Sequence, residues 1–466
     1  MNPWNLDVNF KLVVLDMLYL SSFIILGTIL RRYIKIFQKY LIPNNLIAGF
    51  LALLIGSQGL GLLNLESERL IAYLYHLLAL TFITLGLRQK KSKWTKGPVS
   101  KALASLSSYL LQGIIGLSIA LVLYYTVLPD IFVGIGLVVP LGFGMGPGLA
   151  ATIAGSWEKW GFVGGAQIGL TFATIGYLYA FIVGMALIQW GIKNRKTALI
   201  DSMDHITAAM RTGVIKTGIF PEAGRLPMAT EAIEPLTFHI ALIGFIYLMT
   251  FLLIKAITDF LISIGASGFV STIWGFHFIF GLLISIFVRT VLDKTNRAYL
   301  IDTGLMTRTM GLFLDFLVVG AVAGISLAVV LHYWLPITLM ALIAGPATLF
   351  MLYWICKRAF DDYHFERFLE LFGEMTGTIN SALVLLKVVD PEFKTPVAED
   401  AVYGGVFSLA LGFPLLIALN IPFVYFQNSI VGYWVTLGVL FGYWLLLIVI
   451  WRSFGWIHFS KTSGNL

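Results

Sequence analysis

Residues 140–148 read Pro140-Leu141-Gly142-Phe143-Gly144-Met145-Gly146-Pro147-Gly148, and residues 373–381 read Gly373-Glu374-Met375-Thr376-Gly377-Thr378-Ile379-Asn380-Ser381. Each stretch interrupts a long hydrophobic region, and the two fall at matching places in the halves of the chain. Lipid offers a broken backbone no hydrogen-bond partner. Such a segment therefore persists at membrane depth only inside protein or beside a wet cavity. A matched pair of interruptions points to the central site of a transporter built from repeats.

Composition supplies the setting. Of 466 residues, 58% are hydrophobic and 12% charged, about half the ~25% charged share of soluble domains. The chain reads as an all-α polytopic membrane protein. The ~10-residue alternating strands of an outer-membrane barrel are not seen. Cys356 is the single cysteine, which excludes an intramolecular disulfide and a cysteine-built metal site. The net charge of +7 sits in connections between apolar spans, so topology explains it better than nucleic-acid binding. Residues 1–9 lack the basic start and small-residue cleavage site of a signal peptide. No metalloprotease, nucleophile-elbow or phosphate-loop motif is present, so an enzyme is not expected. The run Asp361-Asp362-Tyr363-His364 reads as a solvated connection.

A crossing helix needs about 20 apolar residues. The pattern predicts about eleven spans, at 12–30, 43–63, 71–87, 103–128, 165–192, 237–262, 270–289, 304–330, 334–356, 401–424 and 430–451. Segments 131–160 and 362–399 remain as re-entrant hairpins. Basic residues follow alternate spans: Arg31, Arg32, Lys35 and Lys39; then Arg88, Lys90, Lys91, Lys93, Lys96 and Lys101; then Lys193, Arg195 and Lys196. Positive-inside orientation then puts the N-terminus outside. In the second half the bias inverts, with Arg289, Lys294 and Arg297, then Lys357 and Arg358. Arg452 and Lys461 put the C-terminus inside.

The simplest organisation is two inverted repeats of five helices, each with a re-entrant hairpin. Residues 1–192 form the first repeat, with hairpin 131–160. Residues 193–235 are a cytoplasmic connecting loop. Residues 236–424 form the second repeat, with hairpin 362–399, and 425–466 add one extra C-terminal helix and a tail. Hairpins entering from opposite faces meet near the bilayer midplane, where solute and coupling ions bind in inverted-repeat transporters.

The glycines Gly142, Gly144, Gly146 and Gly148 leave main chain uncovered. Free amides there suit a carboxylate, and free carbonyls suit a cation. Pro140 and Pro147 prevent a continuous helix. Simple helix packing by small residues predicts a spacing of four and no prolines. In the second stretch Thr376, Thr378, Asn380 and Ser381 surround Gly377 with hydroxyls and an amide, and Glu374 lies near the tip. An ordinary cytoplasmic helix-turn accounts for that segment equally well. Lys387 and Asp390 would pair on a helix. Asp315 marks a functional position by default, or pairs structurally with Arg308. Thr171 and Thr174 offer ion-ligating oxygens or bonds between helices. His277 reads as an interface histidine rather than a proton carrier.

Several stretches resemble, in order and spacing, the bacterial sodium/glutamate symporter family over about residues 40–424. They are Tyr40-Leu-Ile-Pro43 through Ala48-Gly49, Thr81-Phe-Ile-Thr84-Leu-Gly86, the first glycine-rich hairpin closed by Trp157-Glu-Lys-Trp-Gly161, and Ala173-Thr174-Ile-Gly176. Thr376 to Ser381 occupies the place of the family's second hairpin. The resemblance implies sodium-coupled symport of a small carboxylate such as glutamate. The carrier would be a homodimer in the bacterial cytoplasmic (inner) membrane, with no cofactor beyond the sodium ion. A hairpin-bearing unit would move against a dimeric scaffold. Gly142, Gly144, Gly146, Gly148, Thr376, Gly377, Thr378, Asn380 and Ser381 would bind the anionic solute. Thr171, Thr174, Glu374 and Asp315 are candidates for ion coupling.

The chain departs from the family at Phe143, Met145 and Pro147, where His and Thr are usual, and at Glu374, Lys387, Asp390 and Asp315. Two other readings follow. One is a proton-coupled carrier or exchanger using Asp315 or Glu374. The other is a non-transporting membrane assembly or sensory subunit on a transporter scaffold.

Overall fold

The computed structural model describes residues 10–88, 95–200, 202, 206–215, 222–265, 270–391 and 394–457. The basic residues Lys90, Lys91, Lys93 and Lys461 lie outside them, as do residues 1–9. Among the described residues every regular element is helical. In chain order the first are α1 (Phe10–Tyr33), α2 (Asn44–Ile55), α3 (Ser67–Arg88) and α4 (Lys96–Thr126). Then come α5 (Val138–Phe143), α6 (Pro147–Ser156), α7 (Gly165–Leu178) and α8 (Gly184–Lys193), the last two joined through a π turn at Tyr179–Val183. The second half holds α9 (Pro235–Ser263), α10 (Val270–Gly275), α11 (His277–Lys294), α12 (Thr303–Ala323), α13 (Leu327–His332) and α14 (Trp334–Ala359). It ends with α15 (His364–Met375), α16 (Ile379–Val389), α17 (Val397–Ala418) and α18 (Ile430–Ser453).

Among the described residues, eight helices are long and apolar enough to cross a bilayer: α1, α3, α4, the joined α7–α8, α9, α12, α14 and α18. The chain is a multi-pass membrane protein on that ground. Four expected spans differ in detail: 304–330 breaks after Ala323, ahead of α13, and the helix of 401–424 ends at Ala418. The span at 43–63 is helical only to Ile55. Gly56 turns extended, and Leu60 N and Gly61 N fold back onto Leu54 O and Gly56 O. The side-chain-free backbone of Gly56 and Gly59 permits this tight return, because a Cβ at either would overlap a carbonyl of α2. The span at 270–289 is split at Phe276, between α10 and α11.

The helices pack as two groups. In the first, α1, α2, α3, α9, α11 and α12 associate through α1–α2, α2–α12, α3–α12, α3–α11 and α9–α11 contacts. Leu20, Phe23, Ala48, Ala52, Leu70 and Val319 form part of its interior. His277 Nε2 lies 2.8 Å from Tyr75 O, and its ring stacks on Tyr75 at 3.5 Å, joining α11 to α3. In the second group α4 is the central rod, touched by α5, α14, α15, α17 and α18. The final helix, α18, is anchored to α4 by Trp451 Nε1, which donates to Ser100 Oγ at 3.3 Å. Exposed Phe245, Leu248 and Leu252 of α9, and Phe441, Leu445 and Val449 of α18, leave wide apolar faces pointing outward. Such faces suit contact with lipid.

One charged contact ties the first group together. Asp16 on α1, 1% exposed, accepts from Arg69 Nε at 2.8 Å and from Tyr73 Oη at 2.9 Å. Arg69 also reaches Glu66 at 2.8 Å, but the Glu66 side chain is 56% exposed. Removing one partner of a buried pair leaves an uncompensated charge and costs roughly 3–5 kcal/mol, whereas an exposed pair contributes about 0–1 kcal/mol. Asp16→Ala is therefore expected to lower the melting temperature in detergent clearly, and Glu66→Ala to leave it nearly unchanged. Equal losses in a thermal-unfolding measurement would contradict this assignment.

Candidate functional site

Both quoted interruptions are breaks between short antiparallel arms. The first arm is a 3₁₀ turn (Val133–Leu137) running into α5. The chain reverses at Gly144–Gly146 and returns as α6. Gly146 has φ +88°, which favours glycine, and Pro147 opens α6 with its fixed φ. At six and ten residues, α5 and α6 are each far too short to cross a bilayer at 1.5 Å per residue. Entry and exit lie together, since Phe132 stacks on Phe162 at 4.4 Å. Trp157 Nε1 donates to Asn420 Oδ1 at 2.9 Å and fixes that base.

The second pair, α15 and α16, lies face to face, with Gly373 packed on Ala382 and Leu385. Its base is closed by Arg367, which holds Asp400 at 2.7 Å and Asp362 at 2.8 Å. Lys96, at the start of α4, holds Asp361 at 2.7 Å beside that base. The first hairpin instead follows the later part of α4, where Gly116 packs on Gly136. The two bases thus lie toward opposite ends of one helix.

The tips meet partway along α4. Tyr109 Oη donates to Gly144 O at 3.3 Å. Gln112 Nε2 donates to Met375 O at 2.9 Å and to Thr348 Oγ1 at 3.1 Å. Gly176 of α7 packs against both Phe143 and Thr376 O. Between the tips, Gly146 faces Thr378: a Cβ on Gly146 would fall 3.5 Å from Thr378 Cγ2. Tyr177 lies beside Thr378 from α7.

Helices α6 and α16 therefore both begin at this junction, at Gly146 and Thr378. Neither start carries a capping side-chain hydrogen bond. The first amides of a helix lack partners within it and carry partial positive charge. Two amino ends converging on one spot make a place for an anion. The preceding arms end there too, supplying carbonyls of the opposite polarity.

The predicted residues occupy distinct positions around this junction. Gly146, Thr378 and Asn380 are at the tips, with Thr378 half-buried and Asn380 exposed. Gly142 is packed on Phe172 and Ala173, Gly144 on Tyr109, and Gly148 between Leu78 and Leu317. Thr376 is buried, its hydroxyl donating to Phe372 O at 2.7 Å, and Gly377 and Ser381 are buried against each other. Thr171 and Thr174 are buried on α7, with Thr171 Oγ1 donating to Gln167 O at 2.8 Å. Asp315, on exposed ground, accepts from Asn45 Nδ2 at 2.8 Å. That bond, rather than one to Arg308, defines its contact. Asp390 accepts from Lys394 N at 2.8 Å and Thr395 N at 2.9 Å, closing the turn after α16, while Lys387 is exposed.

Lys101 corrects the loop assignment made from charge. It lies inside α4, 2% exposed, with Nζ 2.5 Å from Glu374 Oε2. Five residues of helix precede it, and the ion pair compensates its burial. The sequence reading missed Tyr109, Gln112 and Glu370. The spacing of Glu366, Glu370 and Glu374, four apart on one helix face, carried a signal for the last of these.

Gly176→Ala would force a methyl into the Thr376 carbonyl that caps the tip junction. Overpacking of this kind costs about 1–3 kcal/mol. Gly311→Ala, which meets open space, serves as the control. The first variant is expected to melt several degrees below the parent and the second within error of it. A neutral Gly176→Ala would argue that the tips do not close against α7.

No protein-family model matches this chain, and no curated protein or solved structure matches it either.

Proposed function

We propose that this chain is a secondary active transporter for a small anionic solute, bound where the two hairpin tips meet. The convergence of two uncapped helix amino ends at Gly146 and Thr378 carries this reading. A carboxylate such as that of glutamate matches the partial charge of those ends. Carbonyls ending α5 and α15 suit the sodium ion expected from the family resemblance. The two packing groups fit a division into a scaffold and a hairpin-bearing unit. The arms read as re-entrant hairpins of two inverted repeats, entering from opposite faces of a bacterial cytoplasmic membrane, in a homodimer. Alternating access then requires the tips to part on one side at a time.

A bare carboxylate at Glu374, beside the site, would repel an anion. Lys101 lies 2.5 Å away and offsets it. The same buried pair favours a second reading, in which protons rather than sodium drive transport.

Purified protein in liposomes, given labelled small carboxylates with and without an inward sodium gradient, tests the proposal. Sodium-dependent uptake of glutamate or a relative is expected. Thr378→Val and Asn380→Leu are expected to cut uptake about tenfold, the equivalent of one lost polar contact of ~1.4 kcal/mol, without a change in melting temperature. Uptake indifferent to sodium would reject the coupling ion. Absence of uptake of any small carboxylate would reject the solute class.

A further inference from the structure

We propose that Glu370 and Glu374 share a single proton against Lys101, forming a buried proton-binding site one turn from the hairpin tips. Glu370 is assigned no role by the transport reading, yet it is only 1% exposed. It lies one turn from Glu374 on the same face of α15, and Glu374 is buried as well. Two ionised carboxylates side by side in a buried site repel each other, and one proton removes that repulsion. Glu370 Oε1 is buried with no hydrogen-bond partner among the described residues, so that side of the group is compensated by nothing else.

The surrounding charges leave the same count. Lys101 of α4 pairs with Glu374, and its Nζ has no hydrogen-bond partner besides among the described residues. Arg367, on α15 itself, is committed to Asp362 and to Asp400 of α17, and Glu366, buried one turn before Glu370, is committed to Ala198 N at 2.7 Å. Tyr109 of α4 and Cys356 of α14 are buried and carry no charge in their protonated forms. On α16 the charged residue is Lys387, and on α8 it is Lys193; both are exposed. Tyr179 of the π turn donates to Ala341 O at 3.1 Å. One ammonium thus faces two buried carboxyls, and a bound proton brings the cluster to neutrality, as burial demands.

The site also has a route to the junction. Met375, next to Glu374, has its carbonyl held by Gln112, and three residues along α4 from Gln112, Tyr109 holds Gly144 O of the first tip. Loss of the proton would set two like charges in contact under the second tip and strain these bonds. The link to solute movement rests on the transporter reading; the proton itself does not.

Infrared spectra of the purified protein in detergent at neutral pH, in H₂O and D₂O, test the site. Surface carboxyls are ionised there, so a protonated-carboxyl stretch reports buried groups. Glu370→Gln is expected to remove one such band. It should change the melting temperature little, because the Gln amide keeps a donor toward Glu374. Glu374→Gln is expected to lower the melting temperature more, because it removes the carboxylate in direct contact with Lys101 at 2.5 Å and leaves only the more distant Glu370 to ionise in its place. An unchanged band in Glu370→Gln would overturn the proposal, as would equal destabilisation by both variants. Should Glu370→Gln not accumulate, Glu370→Asp decides: a shifted band supports the site and an unshifted one overturns it. No arm uses flux, so a missing band removes the proton site alone, and missing uptake with the band intact removes the transport reading alone.

Discussion

A main chain that stops being helical inside lipid has carbonyls and amides with nowhere to go, each orphan costing several kcal/mol. The organisation of the second helical group answers that constraint. Two broken segments are brought tip to tip, and one long helix supplies the donors that the exposed carbonyls need. Tyr109 covers Gly144 O and Gln112 covers Met375 O. Glycine at Gly116, Gly136, Gly142 and Gly176 lets the backbones approach closely enough for those bonds to form. The helix starts at Gly146 and Thr378, by contrast, carry no side-chain cap.

The same constraint explains the charges. An unpaired ammonium at Lys101 would be intolerable at 2% exposure, and Glu374 makes it tolerable. Arg367 plays the matching part at the hairpin base, binding the beginning and the end of the segment through Asp362 and Asp400. Asp16 with Arg69 does so in the other group. The Lys101–Glu374, Arg367–Asp400 and Asp16–Arg69 pairs each join two helices separated in sequence, so they act as clasps between helices rather than as general stabilisers.

The first break was legible because glycine alternation with proline is incompatible with a membrane helix; the second, without proline, was marked only by Gly377 among hydroxyls, and the structure breaks the helix within each of the two stretches. The sequence made the long helices legible through their apolar length. It did not reveal the early end of α2 at Gly56, because apolar residues continue to Leu63 and hydrophobicity does not distinguish a helix from a folded-back turn. Among the site candidates, Thr378 and Asn380 stand at the tips, whereas Gly142 and Gly148 serve close packing. Spacing cannot separate a glycine that frees an amide from one that admits a neighbour. Lys101 and Glu370 were hard to read for a different reason. A charge near a span end resembles a topology signal, and its burial depends on partners 273 and 4 residues away along the chain, Glu374 in both cases.

Gly148 lies between Leu78 and Leu317, where the hairpin-bearing group touches the other helices. Aliphatic carbon against a bare backbone attracts without direction, and that attraction survives when one surface is displaced along the other. Hydrogen bonds at the same place would have to be broken one by one. At Gly148 the two helical groups are therefore held by apolar contact, which sets no single register between them.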